Sequence, residues 1–177
     1  MSRGGPAGPW EAGHDGRIHR RQLHRGEKGG SAIGPTKRGK GNKIVAIVDR
    51  RGLPLAVHVA RASPNEVRLV DATLAARFLD AYPPRLIGDR AYDSDPLDAR
   101  LQQQYGIALI AQHKVNRTKP ATQDGRVLRR VKRRWVVERF FAWLHNSRRL
   151  VARWERHVEN FLGMLQLACM RILLNRL

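Results

Sequence analysis

The stretch LIGDRAYDSDPL, residues Leu86–Leu97, changes character in its middle. It opens with apolar residues and then places Asp89, Asp93 and Asp95 within seven positions. An apolar run that ends in a turn-forming aspartate predicts a short buried strand, and Asp95 is predicted to cap a helix that has Pro96 at its first position. Because a strand followed by a helix is the building unit of α/β proteins, this stretch indicates the fold class.

The flanking segments continue the same alternation of strands and helices. Upstream, KIVAIVD and LPLAVHVA are two β-rich runs around a turn, which predicts a hairpin. Ser63 and Pro64 then predict a helix that ends at Pro83. Downstream, LDARLQQQY predicts a helix closed by Gly106, and IALIAQ predicts a strand. Two helices, at about residues 127–150 and 157–174, finish an α/β order.

The N-terminal residues differ from the rest of the chain. Residues 1–30 are rich in Gly, Pro, Arg and His and show no hydrophobic period, so we expect an irregular segment there. The folded domain is expected over residues 31–177.

The charge balance is strongly basic. Thirty-four Lys and Arg stand against 15 Asp and Glu, for a formal net charge of +19 and a pI near 11.6. Such a surplus predicts an anionic partner, of which a nucleic acid is the usual one; a membrane surface or the ribosome is the alternative. A single cysteine excludes a disulfide framework within one chain, and no apolar run reaches membrane-spanning length. We therefore expect a cytoplasmic protein.

Two carboxylates stand out as candidates for chemistry. Between Trp135 and Leu144 only Glu138 and Arg139 are polar, so the segment is expected to be largely buried and Glu138 with it. A buried carboxylate needs a partner, either Arg134 one turn earlier or a metal ion. Asp89 lies at the carboxyl end of a strand, where α/β proteins bind ligands, although it could equally cap a turn.

Three blocks of sequence together resemble a known family. They are GPTKRGKGNKIVAIVDRRGLPLAV (residues 34–57), LIGDRAYDSD (residues 86–95) and RRWVVERFFAWLHNSRRL (residues 133–150). In order and approximate spacing, they resemble the DDE transposases of bacterial insertion sequences. The resemblance covers roughly residues 30–177. It implies a ribonuclease H-like mixed sheet with flanking helices and a helical C-terminus.

The resemblance also implies a reaction and a set of residues. Asp89 matches the second aspartate of the family, and Glu138 matches its glutamate, with Arg134 four residues earlier. These two are the implied catalytic carboxylates and ligands of Mg²⁺ or Mn²⁺, in a metal-dependent cleavage and transfer of DNA strands at transposon ends. The family often has Lys at the position of His145. The resemblance implies transposon-end DNA and target DNA as partners, and possible self-association of the chain. It also implies a bacterial, nucleoid-associated location within the cytoplasm.

Basic residues near these blocks are expected to hold the DNA. Residues 126–156 carry eleven Lys or Arg against two Glu, too many to indicate solubility alone. The DNA-binding candidates are Lys37, Arg38, Lys40, Arg134, His145, Arg148 and Arg149. Lys43 is assigned to the same basic loop as the first three.

One expected residue is missing. The family carries its first aspartate on the opening strand, a few residues before Gly29 and Gly30, but this segment reads GRIHRRQLHRGEKGG, with Arg and His around Arg20. We therefore expect the opening strand to be missing or degenerate, in a chain that is N-terminally truncated or frame-disrupted. Asp15 and Asp49 are expected to lie too far away to replace the aspartate. Either catalysis is impaired, or the chain is a non-catalytic DNA-binding remnant or a repressor of transposition.

Overall fold

One mixed sheet organises the molecule. The computed structural model describes residues 15–24, 30–36, 39–123 and 135–176. Six strands lie in these ranges: β1 (Gly16–His24), β2 (Gly34–Thr36), β3 (Gly39–Val48), β4 (Pro54–Arg61), β5 (Arg85–Gly88) and β6 (Ala108–Ala111). The α-helices there are α1 (Val70–Ala75), α2 (Asp95–Tyr105), α3 (Trp135–His145) and α4 (Val158–Leu174). Short 3₁₀ helices form at Glu66–Leu69, Arg90–Tyr92 and Arg148–Leu150. Within those ranges, no helix is long and apolar enough to cross a membrane.

The strand order confirms the predicted fold class. Across the sheet the order is β4, β3, β1, β5, β6, with the short β2 pairing alongside the start of β3. Strands β1, β3 and β4 are antiparallel neighbours, whereas β5 and β6 run parallel to β1. A three-strand antiparallel meander extended by two parallel strands is the ribonuclease H-like arrangement, with helices on both faces.

The opening strand β1 is present, so the expectation of a missing strand within an irregular segment is wrong for residues 16–24. β1 lies at the centre of the sheet, antiparallel to β3 from Arg17↔Val48 to His24↔Gly41 and parallel to β5 at Arg17↔Ile87. Ile18, 2% exposed, anchors it in the core. Backbone groups make the ladder, so polar side chains do not prevent a strand that has a partner on each side.

The predicted hairpin of β3 and β4 is confirmed and supplies both hydrophobic layers. Successive side chains of a strand point to opposite faces. One layer packs beneath α3 and α4, and it contains Ile44, Ala46, Val48, Val57 and Val59. The other packs beneath α1 and α2, and it contains Val45, Ile47, Ala56 and Ala60. The period-2 pattern of the hairpin therefore explains why the sheet is covered on both sides.

The helix predicted from Ser63 to Pro83 is shorter than expected. Asn65, not Ser63, caps the 3₁₀ turn that leads into α1, by accepting the N–H of Val67 at 3.2 Å. After Ala75 the chain leaves the helix because Phe78 donates its N–H to the carbonyl of Leu55 on β4, at 2.8 Å. A tertiary contact with the sheet thus overrides the helical period.

Lys43 is buried in β3, which corrects its assignment to a DNA-facing loop. Its Nζ lies 2.9 Å from Glu66 Oε1 and 2.7 Å from the carbonyl oxygen of Pro64. The two side chains are only 6% and 11% exposed. This ion pair ties the segment before α1 to the sheet.

We expect Lys43→Met to lower the free energy of unfolding by about 3 kcal/mol, because the substitution removes the ammonium group that lies 2.9 Å from the buried Glu66 carboxylate. Urea denaturation of the two chains measures the difference. The double variant Lys43→Met/Glu66→Leu is the matched control and should recover most of the loss. A single variant within about 0.5 kcal/mol of the parent chain would contradict a structural role for the pair.

Candidate active site

Three elements meet at the carboxyl end of β5. A small depression there is lined by residues of β1, the end of β5 and α3, namely Arg17, Ile18, His19, Ile87, Gly88, Asp89 and Val137. Carboxyl ends of parallel strands are where α/β proteins place ligands. Asp89 directly follows β5, so the predicted position of Asp89 at the end of a strand is confirmed.

Asp89 has two roles at this edge. One carboxylate oxygen, Oδ1, accepts the N–H of Ala91 at 2.9 Å and caps the 3₁₀ helix Arg90–Tyr92, so the turn-capping alternative is also correct. The other oxygen, Oδ2, lies 3.4 Å from Nδ1 of His19 on the neighbouring strand. Both side chains are 22% exposed, so solvent and a ligand can reach them.

His19 on β1 lies beside Asp89, a contact that the sequence analysis did not predict. Because β1 and β5 are parallel and Arg17 pairs with Ile87, a step of two residues along each strand brings His19 level with Asp89. The ring of His19 also meets that of Phe141 on α3 edge-on, with centroids 6.3 Å apart. This relation was missed because β1 was not predicted to be a strand; aligning the register of GRIH with that of LIGD would have found it.

Two other aspartates lie away from this edge. Asp15 precedes His19 by four residues, about 13 Å at 3.3 Å per residue, and its Oδ1 lies 3.2 Å from Arg85 Nε at the opposite end of β5. Asp49 closes the hairpin turn by accepting the N–H groups of Arg51 and Leu53, each at 2.8 Å. Neither aspartate lies beside Asp89.

Glu138 lies on the exposed side of α3, which corrects the expectation that it is buried. The buried residues of this helix are Val136, Val137, Phe140, Phe141 and Leu144. Trp135, although apolar, is 54% exposed and lies against the guanidinium of Arg139, 4.8 Å from ring centroid to Cζ. The expectation failed because it counted tryptophan and alanine as core residues.

The geometry associates Asp89 with His19 more closely than with a set of acids. Val137, the neighbour of Glu138, lines the same depression as Asp89, so α3 approaches the strand edge. Within the ranges that the structure describes, however, no three His, Cys, Asp or Glu side chains are grouped so as to hold a metal ion.

The remaining two acids of the opening stretch fasten a basic loop. Asp93 Oδ1 lies 2.9 Å from His113 Nδ1 and 3.1 Å from Arg117 Nη1, and Asp93 Oδ2 accepts the N–H of Lys114 at 2.8 Å. Arg117 also donates to Asp95 Oδ1 at 2.7 Å. These two carboxylates therefore hold the basic loop of residues 113–117 beside the turn that follows Asp89.

The pKa values of both acids reflect these contacts. Burial would raise the pKa of Asp93, but the N–H of Lys114, the ring of His113 and the charge of Arg117 together hold it below its usual value. The hydrogen bond from Arg117 lowers the pKa of Asp95, whose side chain is half-buried. Ser94, not Asp95, stands at the N-cap position of α2, so the prediction of Asp95 as the cap is wrong.

The predicted DNA-binding residues fall in three places. Lys40 is exposed at the start of β3, whereas His145 is half-buried at the end of α3. Arg148 and Arg149 are exposed on the following 3₁₀ helix, with Arg149 Nη1 3.6 Å from Glu155 Oε1. Lys37, Arg38 and Arg134 lie outside the described residues.

Two bacterial proteins are clearly similar to this chain. A protein named as the transposase of insertion sequence element IS402, from Burkholderia cepacia, is 36% identical over 152 residues, which cover 81% of this chain and 68% of that protein. A protein named as the transposase of insertion sequence element IS6501, from Brucella ovis, is 35% identical over 134 residues, 73% of this chain and 95% of that protein.

A solved structure shows a more distant likeness. The cryo-EM structure of a piggyBac transposase synaptic complex with hairpin DNA gives a TM-score of 0.42 at 12% identity. The match covers 62% of this chain but only 26% of that one, so the chain spans about a quarter of that protein's length.

The family comparison spans nearly the whole chain. The model of the transposase DDE domain matches residues 10–173, a range that includes β1 and every strand and helix described above up to the last turn of α4. With two insertion-sequence transposases more than a third identical to it, the chain belongs to the transposase DDE domain family.

Proposed function

We propose that this chain serves DNA transposition by binding DNA, and that it does not cut DNA because the strand edge at Asp89 lacks one carboxylate. The observation that carries the proposal is the 3.4 Å approach of His19 Nδ1 to Asp89 Oδ2, at the place where the resemblance leads one to expect an aspartate. Asp89 and Glu138 are proposed to stand at two of the family's three catalytic carboxylate positions. The proposed site of action is the bacterial cytoplasm, at chromosomal DNA.

The chemistry of the site supports this view. DDE transposases use divalent metal ions, and hard cations such as Mg²⁺ prefer oxygen ligands. His19 offers nitrogen in place of oxygen and removes one negative charge from the edge. The described residues do not fit an ion held by three acids. Cleavage therefore requires a further carboxylate that this strand does not supply.

DNA binding, in contrast, needs no third carboxylate. Arg148 and Arg149 project from the short helix after α3, and Lys40 from the start of β3. The loop fastened by Asp93 adds the exposed Lys114 and Lys119 beside the same strand edge. Lys37, Arg38, Arg134 and His145 are proposed to extend this surface. Guanidinium and ammonium groups in such numbers favour contacts with phosphates.

A second candidate function is complete cleavage and strand transfer with Mg²⁺ or Mn²⁺. Family membership favours this function. The sequence also contains further acids outside the described ranges, such as Glu27 and Asp124, which could supply the third carboxylate. The two candidates differ in whether the parent chain nicks DNA.

We expect the parent chain not to nick a plasmid that carries the element's ends, with Mg²⁺ or Mn²⁺, and His19→Asp to gain nicking because it restores a carboxylate beside Asp89. Gel analysis of the plasmid measures this. Adding Asp89→Asn or Glu138→Gln to His19→Asp should abolish the gain. Mn²⁺ should also raise the melting temperature of His19→Asp more than that of the parent, a readout independent of catalysis. Nicking by the parent chain that Asp89→Asn removes would instead establish the second candidate.

We expect Arg148→Gln and Arg149→Gln each to weaken DNA binding at low salt and to reduce the slope of log K against log salt by about 0.9, the value for one lost phosphate contact. Fluorescence anisotropy with a labelled duplex at several salt concentrations gives the slope. Arg68→Gln is the control, because Arg68 is exposed on the 3₁₀ helix before α1, away from the proposed surface. An equal change in all three variants would locate the contact elsewhere.

We expect Asp93→Asn to loosen the loop at residues 113–117 and to lower DNA affinity several-fold, because His113, Lys114 and Arg117 lose a common anchor. Proteolysis of the loop measures the loosening. The pKa of Asp93 is lowered in the folded chain, so its anchoring is fully present above the ordinary carboxyl pKa of about 4 and is lost as the pH falls through the folded value. Asp71→Asn, which breaks a pair with Arg100 on another surface, should leave the loop unchanged. Equal protease resistance in Asp93→Asn and the parent chain would refute the anchoring role.

A further inference from the structure

The strand β6 ends the sheet within the described residues, and its outer edge carries backbone groups that no strand there pairs with. Ala108 donates its N–H to the carbonyl of Pro84 at 3.1 Å, on the side of β5. Because peptide groups alternate along a strand, those of Leu109 and Ala111 face the outside of the sheet. An edge of this kind is a template for a further strand.

Two side chains make the hydrogen bonds that a further strand would make. Gln123 donates from Nε2 to the carbonyl of Leu109 at 2.8 Å and accepts the N–H of Ala111 on Oε1 at 3.3 Å. The N–H of Leu109 is hydrogen-bonded to the carboxylate of Asp98 on α2. A residue on a strand parallel to β6 would donate and accept at the same two positions as Gln123. We call Gln123 and Asp98 the β6 cap.

A groove runs along this capped edge, between β6 and α2. Its volume is about 630 Å³, which is within the range of ligand clefts. Leu109 and Ile110 line its strand side, and Ala99 and Gln102 line its helix side. Extended peptides bind in such places, because the edge strand offers backbone hydrogen bonds and the walls offer contacts to alternate side chains.

The charge of Asp98 defines the chemistry of the occupant. Although the net charge of the chain is +19, no Lys, Arg or His among the described residues pairs with Asp98. Burial and, to a smaller extent, the charge of Asp95 raise the pKa of Asp98. Arg85 also lines the groove, but its Nε is held 3.2 Å from Asp15 Oδ1. The groove therefore favours a ligand that brings its own cation.

We infer that this groove binds an extended basic segment of a partner protein, which adds to β6 as a parallel strand and displaces the amide of Gln123. The backbone of the segment takes over the hydrogen bonds to Leu109 and Ala111, and a Lys or Arg side chain pairs with Asp98. In the unbound chain the β6 cap satisfies these backbone groups, so the edge does not pair with strands indiscriminately. This inference is independent of whether the chain cuts DNA.

Fluorescence anisotropy with a labelled peptide of alternating lysine and valine tests the groove, on the full chain after nuclease treatment. We expect saturable binding below about 1 mM peptide. Gln123→Ala should tighten binding about fivefold, because the peptide no longer has to displace the amide. Gln103→Ala is the matched control, since Gln103 is exposed on α2 outside the groove. Circular dichroism verifies that each variant is folded.

Changes to the charge and to the peptide backbone test how the segment is held. Asp98→Asn should weaken binding of the lysine peptide about fivefold, and it should not affect a peptide with glutamine in place of lysine. A peptide with glutamate in place of lysine should not bind. Methylation of alternate peptide nitrogens removes the N–H groups that pair with β6 and should abolish binding.

Hydrogen exchange of single amides gives a readout that does not depend on affinity. Gln123→Ala should speed the exchange of the Ala111 N–H at least about tenfold, because this group loses its acceptor. The N–H of Ile110 faces β5 and should be unaffected. Adding the lysine peptide should restore the protection of Ala111.

Three results would overturn the inference. If Gln123→Ala binds no peptide at about 1 mM and Ala111 stays protected, another segment of the same chain occupies the groove. If Gln123→Ala self-associates and binds no peptide, the β6 cap serves only to keep the edge from pairing. Equal affinity for the methylated and unmethylated peptides would mean that charge alone holds the peptide, without addition of a strand.

Discussion

The antiparallel ladder between β1 and β3 is the contact on which the rest of the structure depends. It runs from Arg17↔Val48 to His24↔Gly41, and it places β1 between β3 and β5. Without β1, both of those strands would have an open edge in the middle of the sheet. Because β5 takes its position from β1, the same ladder determines where Asp89 lies. The strand edge that carries Asp89 is thus a consequence of backbone pairing by a strand whose side chains are mostly polar.

Local sequence patterns predicted the elements that depend only on residues close together in the chain. The hairpin of β3 and β4 follows from period-2 apolar patterns around a turn, and α2 follows from Pro96 near its start and a left-handed Gly106 at its end. These features need only a few neighbouring residues. The position of Asp89 at the end of an apolar run was predictable for the same reason.

Features that depend on distant partners could not be predicted in this way. β1 offers Ile18 as its buried apolar residue among Arg17 and His19, so its pattern does not indicate a strand until β3 and β5 are placed beside it. The early end of α1 depends on a hydrogen bond between Phe78 and Leu55. The exposure of Glu138 depends on which side of α3 faces the sheet. The sequence did not indicate that side, because Trp135 and Trp143 are apolar but stack on the guanidinium of Arg139. The proximity of His19 to Asp89 needed all of these placements first.

The central position of β1 has a consequence for the order in which the chain is made. Arg17 is synthesised before β3, which can join it soon afterwards, but its parallel partner Ile87 follows only after the hairpin and α1. The hydrophobic layer under α3 and α4 stays uncovered until these two helices are synthesised. Parallel pairing between distant segments is slow and exposes apolar surface in the meantime. A nascent chain of this topology therefore exposes one apolar face of the sheet until α3 and α4 cover it. Chaperones that bind apolar strands can bind that face during this interval.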